Sequence, residues 1–192
     1  MTKYILHGGY PNTKNDLNAG FYREISQYVP ENGNILLVYF ARDDEDYERL
    51  FKQDSEKIIK QARGKKLNIK IATKENFFKE LDWANSIYMR GGDYTQKLIN
   101  TLKEYPDFEN KIKDKVVAGS SSGAYAVSTY YYSNSSGAIK EGLDLIPLRV
   151  ICHYKSKIHE NIGEDPVELM KDYPKDLELA VLKDFEWKTY EF

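Results

Sequence analysis

The sequence predicts a doubly wound α/β domain: a mostly parallel sheet with helices on both faces. Three observations predict it. Apolar runs alternate with charged, amphipathic runs from the N-terminus through Ala118. The run Asn34–Ala41 (NILLVYFA) is almost continuously apolar, which suits a strand buried on both faces of a parallel sheet. Glycine turns close three of the strand-like runs, at Gly8-Gly9, Gly91-Gly92 and Gly119–Gly123. All three fall at the carboxyl ends of strands, where such sheets bind ligands.

The elements follow in order. Tyr4–His7 reads as a first strand and Asp16–Tyr28 as a helix. Asn34–Ala41 is the second strand. Asp46–Ala62 is a charged helix with Tyr47, Leu50, Phe51, Ile58 and Ile59 on its apolar side. Leu67–Ala72 is a third strand, Lys74–Leu81 a short helix, Ser86–Met89 a fourth strand and Tyr94–Tyr105 a helix. Lys115–Ala118 is the fifth strand, and a helix runs from Gly123 to Thr129. Parallel strands joined this way imply right-handed crossovers. Beyond Thr129 the pattern changes. Tyr130–Ser136 is polar and tyrosine-rich, without clear periodicity. Ala138–Ile146 and Leu148–Cys152 read as short strands around Pro147, and Val167–Lys171 as a short helix. Leu177–Leu182 and Glu186–Tyr190 read as a closing β-hairpin at the C-terminus. No linker or repeat interrupts the chain, so residues 1–192 are read as one domain.

The totals narrow the function. The 192 residues can bury a large core. The net charge of -2 offers no basic excess for nucleic acid, and no Lys/Arg tract suggests a membrane surface. A single cysteine, Cys152, excludes an intrachain disulfide and a multi-cysteine zinc site. No stretch reaches the ~18 apolar residues of a membrane span, and the N-terminus shows no apolar leader. The cytoplasm is the expected compartment. Asn134-Ser135-Ser136 matches a glycosylation sequon, which is idle in a cytoplasmic chain.

The chemistry gathers on Val116-Val117-Ala118-Gly119-Ser120-Ser121-Ser122-Gly123-Ala124. A buried strand runs into Gly-x-Ser-x-Gly and then a helix, the context of a nucleophile elbow with Ser121 at its centre. Glycines on either side let the turn tighten and a substrate approach the backbone. The following helix directs free N–H groups and its dipole toward a developing oxyanion. The competing reading is a Ser/Gly-rich loop that cradles an anion. A nucleophilic serine needs a base, and there are three histidines. His153 follows the strand Leu148–Cys152 and can project toward the rim that holds Ser121. His7 is read as structural, and His159, in a Lys/Glu-rich stretch, as solvated. Gly91-Gly92 is the natural second wall of an oxyanion hole, with a backbone N–H there acting beside that of Ser122.

Three segments carry a resemblance. Ile87-Tyr88-Met89-Arg90-Gly91-Gly92-Asp93, the elbow Gly119–Ala124, and Gly142-Leu143-Asp144-Leu145-Ile146-Pro147 followed by Cys152-His153-Tyr154 resemble the peptidase S51 family. This is the family of dipeptidase E and cyanophycinase, on the class I glutamine amidotransferase-like, flavodoxin-like three-layer fold. The resemblance implies a serine peptidase or amidohydrolase without cofactor or metal. Ser121 would be the nucleophile, His153 the general base, and Gly92 and Ser122 the oxyanion-hole residues. Gly91, Asp93 and Ser135 would neighbour the substrate. The implied partner is a small peptide, with aspartate at the cleaved position in the family; a homodimer stays open.

The chain departs from the family at the triad acid. The dipeptidase branch carries it about 15 residues after the nucleophile; here Ser133-Asn134-Ser135-Ser136 fills that place. Glu141 and Asp144 are the candidate replacements, with a Ser–His dyad as the alternative. Asp93 stands where the family has asparagine, and Ser122 where it has alanine. A missing acid favours a second reading, a catalytically silent small-ligand-binding protein on the same scaffold. A glutamine amidotransferase is disfavoured because Ser121, not cysteine, occupies the elbow. Cys152 lies inside a strand, and Gly8-Gly9 lacks the three-glycine spacing of a dinucleotide site.

Overall fold

The computed structural model describes residues 1–158, 164–173 and 176–192. His159 lies outside the described residues. Strands are β1 (Lys3–His7), β2 (Gly33–Val38), β3 (Leu67–Ile71), β4 (Ser86–Met89), β5 (Val116–Ser120), β6 (Ser128–Ser133), β7 (Ala138–Glu141), β8 (Ile146–Ile151), β9 (Glu178–Val181) and β10 (Trp187–Glu191). Helices are α1 (Asp16–Gln27), α2 (Tyr47–Gln61), α3 (Phe77–Trp83), α4 (Thr95–Lys103), α5 (Phe108–Lys111), α6 (Ser122–Val127) and α7 (Pro166–Met170). No helix among the described residues is long and apolar enough to cross a membrane.

A six-stranded sheet runs in the order β10-β1-β5-β4-β2-β3. Its pairs are parallel except β1 with β10. The inner strands β1, β2, β4 and β5 are buried on both faces because alternate residues enter different cores. Leu36, Val38, Ile87 and Met89 pack on the side of α3, α4 and α6. Ile35, Leu37 and Tyr88 pack on the side of α1 and α2, against Phe21, Tyr22, Ile25 and Ile58. The fold is therefore the doubly wound α/β layering that the alternating runs predict.

The second half builds another sheet, in the order β7-β6-β8-β9. The tyrosine-rich stretch after the elbow is one of its two inner strands, β6, with Tyr131 and Tyr132 both buried. Tyrosine keeps a large apolar ring beside its hydroxyl, so composition hid a buried strand. Pro147 lies within β8 and not between two strands. The β6–β8 register shifts there, from Ser128 opposite Ile146 to Tyr130 opposite Arg149. That bulge accommodates a residue without an N–H.

The closing hairpin is corrected. β9 joins β8 in parallel, whereas β10 joins β1 antiparallel in the other sheet. The link between them is tied to the rim and holds them apart. Tyr154 N–H donates to the Leu182 carbonyl at 3.1 Å, and Gly8 N–H to the Glu186 carbonyl at 2.8 Å.

Candidate active site

β5 ends at Ser120 and α6 begins at Ser122, so Ser121 alone makes the turn. Its φ of 48° and ψ of −109° are strained for a residue with a side chain. Two backbone hydrogen bonds hold it there. Ser121 N–H donates to the His7 carbonyl, and the Ser121 carbonyl accepts from Tyr125 N–H, both at 2.9 Å. The turn also needs its glycines, since a Cβ on Gly119 would lie 2.4 Å from the Gly123 carbonyl carbon.

His153 lies two residues past the end of β8, also at positive φ (57°). Its N–H donates to the Gly8 carbonyl at 3.0 Å, and its own carbonyl accepts from Ser156 N–H at 3.0 Å. The ring is buried. Tyr10 meets it edge-on, with centroids 4.9 Å apart. Gly9, at φ 131°, leaves room for it: a Cβ there would sit 1.9 Å from His153 Cε1.

His153 Nε2 lies 3.0 Å from Ser121 Oγ, and Nδ1 lies 2.8 Å from Asp184 Oδ1. A carboxylate accepts and does not donate, so Nδ1 carries the proton and Nε2 is free to accept from serine. Asp184 Oδ2 accepts from the Ser156 hydroxyl at 2.5 Å. Ser156 Oγ in turn accepts from Ile158 N–H at 3.0 Å, which turns its own hydrogen toward Asp184.

The carboxylate beside His153 is thus Asp184, and neither Glu141 nor Asp144. Glu141 is exposed on the edge strand β7, opposite Tyr130. Asp144 accepts from the Thr129 hydroxyl at 2.5 Å. Ser135 lines the cleft and contacts Ser133 Oγ at 3.2 Å. Asp184 escaped the sequence reading because the hairpin placed Lys183-Asp184-Phe185 in a tight turn. No local sequence pattern marks it, because its place depends on the parallel pairing of β9 with β8. Residues just past the carboxyl ends of neighbouring parallel strands come side by side, as His153 and Asp184 do.

His7 is structural. Its Nδ1 accepts from Gly9 N–H at 3.0 Å, and its Nε2–H donates to Asn18 Oδ1 at 2.8 Å. Asn18 is fixed by donating to the Tyr10 and Thr13 carbonyls. Burial pushes His7 down to about 4, so it stays neutral and props the Gly9–Thr13 wall. Cys152 is buried, and burial pushes its thiol well above the usual range, which removes it as a thiolate nucleophile.

A cleft of about 340 Å³ opens over Ser121 and His153. Gly91, Gly92, Asp93 and Ser122 line it, as do Arg42 and Arg90. Ser122 Oγ donates to the Gly92 carbonyl at 2.7 Å and accepts from Thr95 at 2.8 Å, which docks α6 on the Gly91-Gly92 turn. Asp93 is turned outward, 81 % exposed, and pairs with Arg42. Arg90 is nearly buried and pairs with the fully buried Asp54 at 3.0 Å. No group of His, Cys, Asp and Glu among the described residues has the arrangement of a metal site.

A serine, a histidine and a carboxylate linked in this order on a doubly wound sheet invite comparison with known peptidases. The model of peptidase family S51 matches residues 6–188. The chain belongs to peptidase family S51. Two solved structures share the fold of this S51 member. One is a peptidase from an acI-B1 Actinobacterium, with TM-score 0.71 and 20 % identity over all of this chain and 84 % of that one. The other is a provisionally assigned peptidase E protein from Listeria monocytogenes EGD-e, with TM-score 0.64 and 14 % identity over 100 % and 99 % of the two chains. No curated protein matches the chain. The S51 segments anticipated from sequence, the Gly91-Gly92 turn, the elbow and the His153 segment, all reach the same cleft.

Proposed function

We propose that this S51 member is a serine peptidase acting on small peptides through Ser121, His153 and Asp184. The observation that carries the reading is the unbroken chain Ser121 Oγ to His153 Nε2 to Asp184, at 3.0 and 2.8 Å. Both contacts are within hydrogen-bond reach, and the first is the path of the proton. His153 takes the Ser121 proton as Oγ attacks the scissile carbonyl. Asp184 holds the imidazole in the required tautomer and balances the imidazolium. Backbone N–H groups of Gly92 and Ser122 receive the oxyanion. His153 then gives its proton to the leaving amine, and a water activated by the same base releases the acyl group.

Arg90 is the residue proposed to select the substrate. One of its nitrogens is held by Asp54, which also accepts from the Tyr22 and Tyr39 hydroxyls at 2.7 and 3.1 Å. Its remaining donors hold no partner among the described residues, and the side chain borders the cleft. A pre-positioned guanidinium fits a substrate carboxylate, which favours acidic peptides. The silent binding protein rested on a missing acid, and Asp184 removes that ground.

The test is hydrolysis of a dipeptide panel, with and without acidic side chains, followed by release of free amine. Ser121→Ala and His153→Ala are expected to abolish it, while His7→Gln keeps most of it. Turnover that persists in Ser121→Ala would overturn the proposal.

A further inference from the structure

The Gly91-Gly92 turn has four backbone polar groups, and three are tied to named partners. Gly91 N–H donates to Ser120 Oγ at 3.0 Å. The Gly92 carbonyl accepts from Ser122 Oγ at 2.7 Å. The Gly91 carbonyl accepts from Arg42 Nε at 3.0 Å. The fourth group, Gly92 N–H, has only a long contact with Ser122 Oγ, at 3.3 Å. The turn lies against the nucleophile, since a Cβ built on Gly91 would fall 2.8 Å from Ser121 Cβ.

The Gly91 carbonyl and the Gly92 N–H belong to one peptide unit. No peptide bond among the described residues is cis, so the two groups point in opposite directions across a rigid plane. A donor that holds the carbonyl therefore sets where the N–H aims. Arg42 is well placed for this. Its N–H donates to the Tyr39 carbonyl at 2.8 Å, and its carbonyl accepts from Lys97 Nζ at 2.9 Å. Its Nη1 reaches Asp93 at 3.3 Å. A charged donor on the carbonyl also polarises the peptide and strengthens the opposite N–H as a donor.

We infer that Arg42 is a positioning residue for the oxyanion hole: its Nε grips the Gly91 carbonyl and aims the Gly92 N–H at the developing negative charge. This rests on the serine-peptidase reading. Arg42 acts on the reaction through the peptide it holds, a role distinct from the carboxylate recognition assigned to Arg90. Lysine cannot replace it fully, because an ammonium lacks the fixed Nε donor of the guanidinium fork.

The test uses an uncharged alkyl fluorophosphonate, whose P=O oxygen occupies the oxyanion position and which has no carboxylate to bind. The binding constant and the maximal rate of phosphonylation are measured separately. Arg42→Ala is expected to lower the maximal rate about 10- to 100-fold, less than the ~10²–10³ of deleting a donor outright, with little change in binding. Arg42→Lys should fall between the two. Millimolar guanidinium chloride should restore part of the Arg42→Ala rate, and an equal concentration of sodium chloride should not. Restoration shows a folded variant lacking one group, which a general structural defect would not give. A wild-type rate in Arg42→Ala, a loss confined to the binding constant, or a loss that guanidinium leaves unchanged would overturn the inference while the peptidase reading stands. A wild type that takes no label at Ser121 would overturn the peptidase reading and this inference together.

Discussion

The Ser156 hydroxyl donates to Asp184 Oδ2 at 2.5 Å while the other oxygen of the same carboxylate faces His153 Nδ1 at 2.8 Å. One carboxylate is thus gripped from two sides. Both grips come from one turn, because Ser156 N–H donates to the carbonyl of His153 itself. Replacing Ser156 with alanine should loosen Asp184 without touching the cleft. We expect turnover to fall about tenfold, the worth of one hydrogen bond to a charged group. Ser156→Thr keeps the hydroxyl and should retain most of the activity. Equal activity in the alanine and threonine variants at the wild-type level would show that the second grip is idle.

Asp184→Asn should be far more damaging. The amide keeps the size but no longer enforces the tautomer, and a mature triad loses about 10⁴ in turnover by this change. Glu141→Gln and Asp144→Asn, neither of which contacts His153, should stay close to wild type. Steady-state rates on the best dipeptide of the panel decide the matter. A silent Asp144→Asn with an active Asp184→Asn would reverse the assignment.

The buried Arg90–Asp54 pair should be fragile when halved. Arg90→Met leaves Asp54, which is fully buried, without its cation, at a cost of about 3–5 kcal/mol. The double variant Arg90→Met with Asp54→Asn removes both charges and should recover much of that stability in urea melts. If the pair serves only stability, the double variant should also cleave acidic and neutral dipeptides in the wild-type ratio. If Arg90 receives the substrate carboxylate, KM for acidic peptides should rise roughly 10- to 100-fold relative to neutral ones.

His7 sets a pH dependence of stability. Burial holds it at about 4 in the fold, against an ordinary value of 6.5. The unfolded chain therefore binds the extra proton first as pH falls. The contribution is complete above pH 6.5 and is lost on the way down to about 4. By pH 5 the loss is about 2 kcal/mol. His7→Gln removes this titration, so its stability deficit against wild type should shrink between pH 7.5 and pH 5. Parallel stability curves for the two proteins would contradict the burial argument.

Much of the fold was legible because its signals are local. Runs such as Asn34–Ala41 carry a two-faced strand in their own composition, although β2 closes at Val38 and the buried Tyr39–Ala41 leave the sheet. Four-residue α5 was too short to show a period. β6 was hidden by its tyrosines and serines, which read as polar although Tyr131, Tyr132 and Ser133 are buried. The carboxylate beside His153 was hidden for a non-local reason. Asp184 meets His153 only because β9 lies beside β8, and the pairing of Leu148 with a residue as distant as Glu178 leaves no mark in either strand's pattern. Local alternation in β9 and β10 instead favoured a hairpin, and the hairpin hid Asp184. Ser121 and His153, by contrast, sat within patterns that announce themselves.

The central claim is that Ser121 is a nucleophile activated by His153. Intact-mass spectrometry after treatment with a fluorophosphonate, with peptide mapping of the adduct, tests it most directly. The account predicts one adduct per chain, on Ser121, absent in Ser121→Ala and strongly slowed in His153→Ala. A folded wild type that gains no mass, or an adduct that persists in Ser121→Ala, would contradict it.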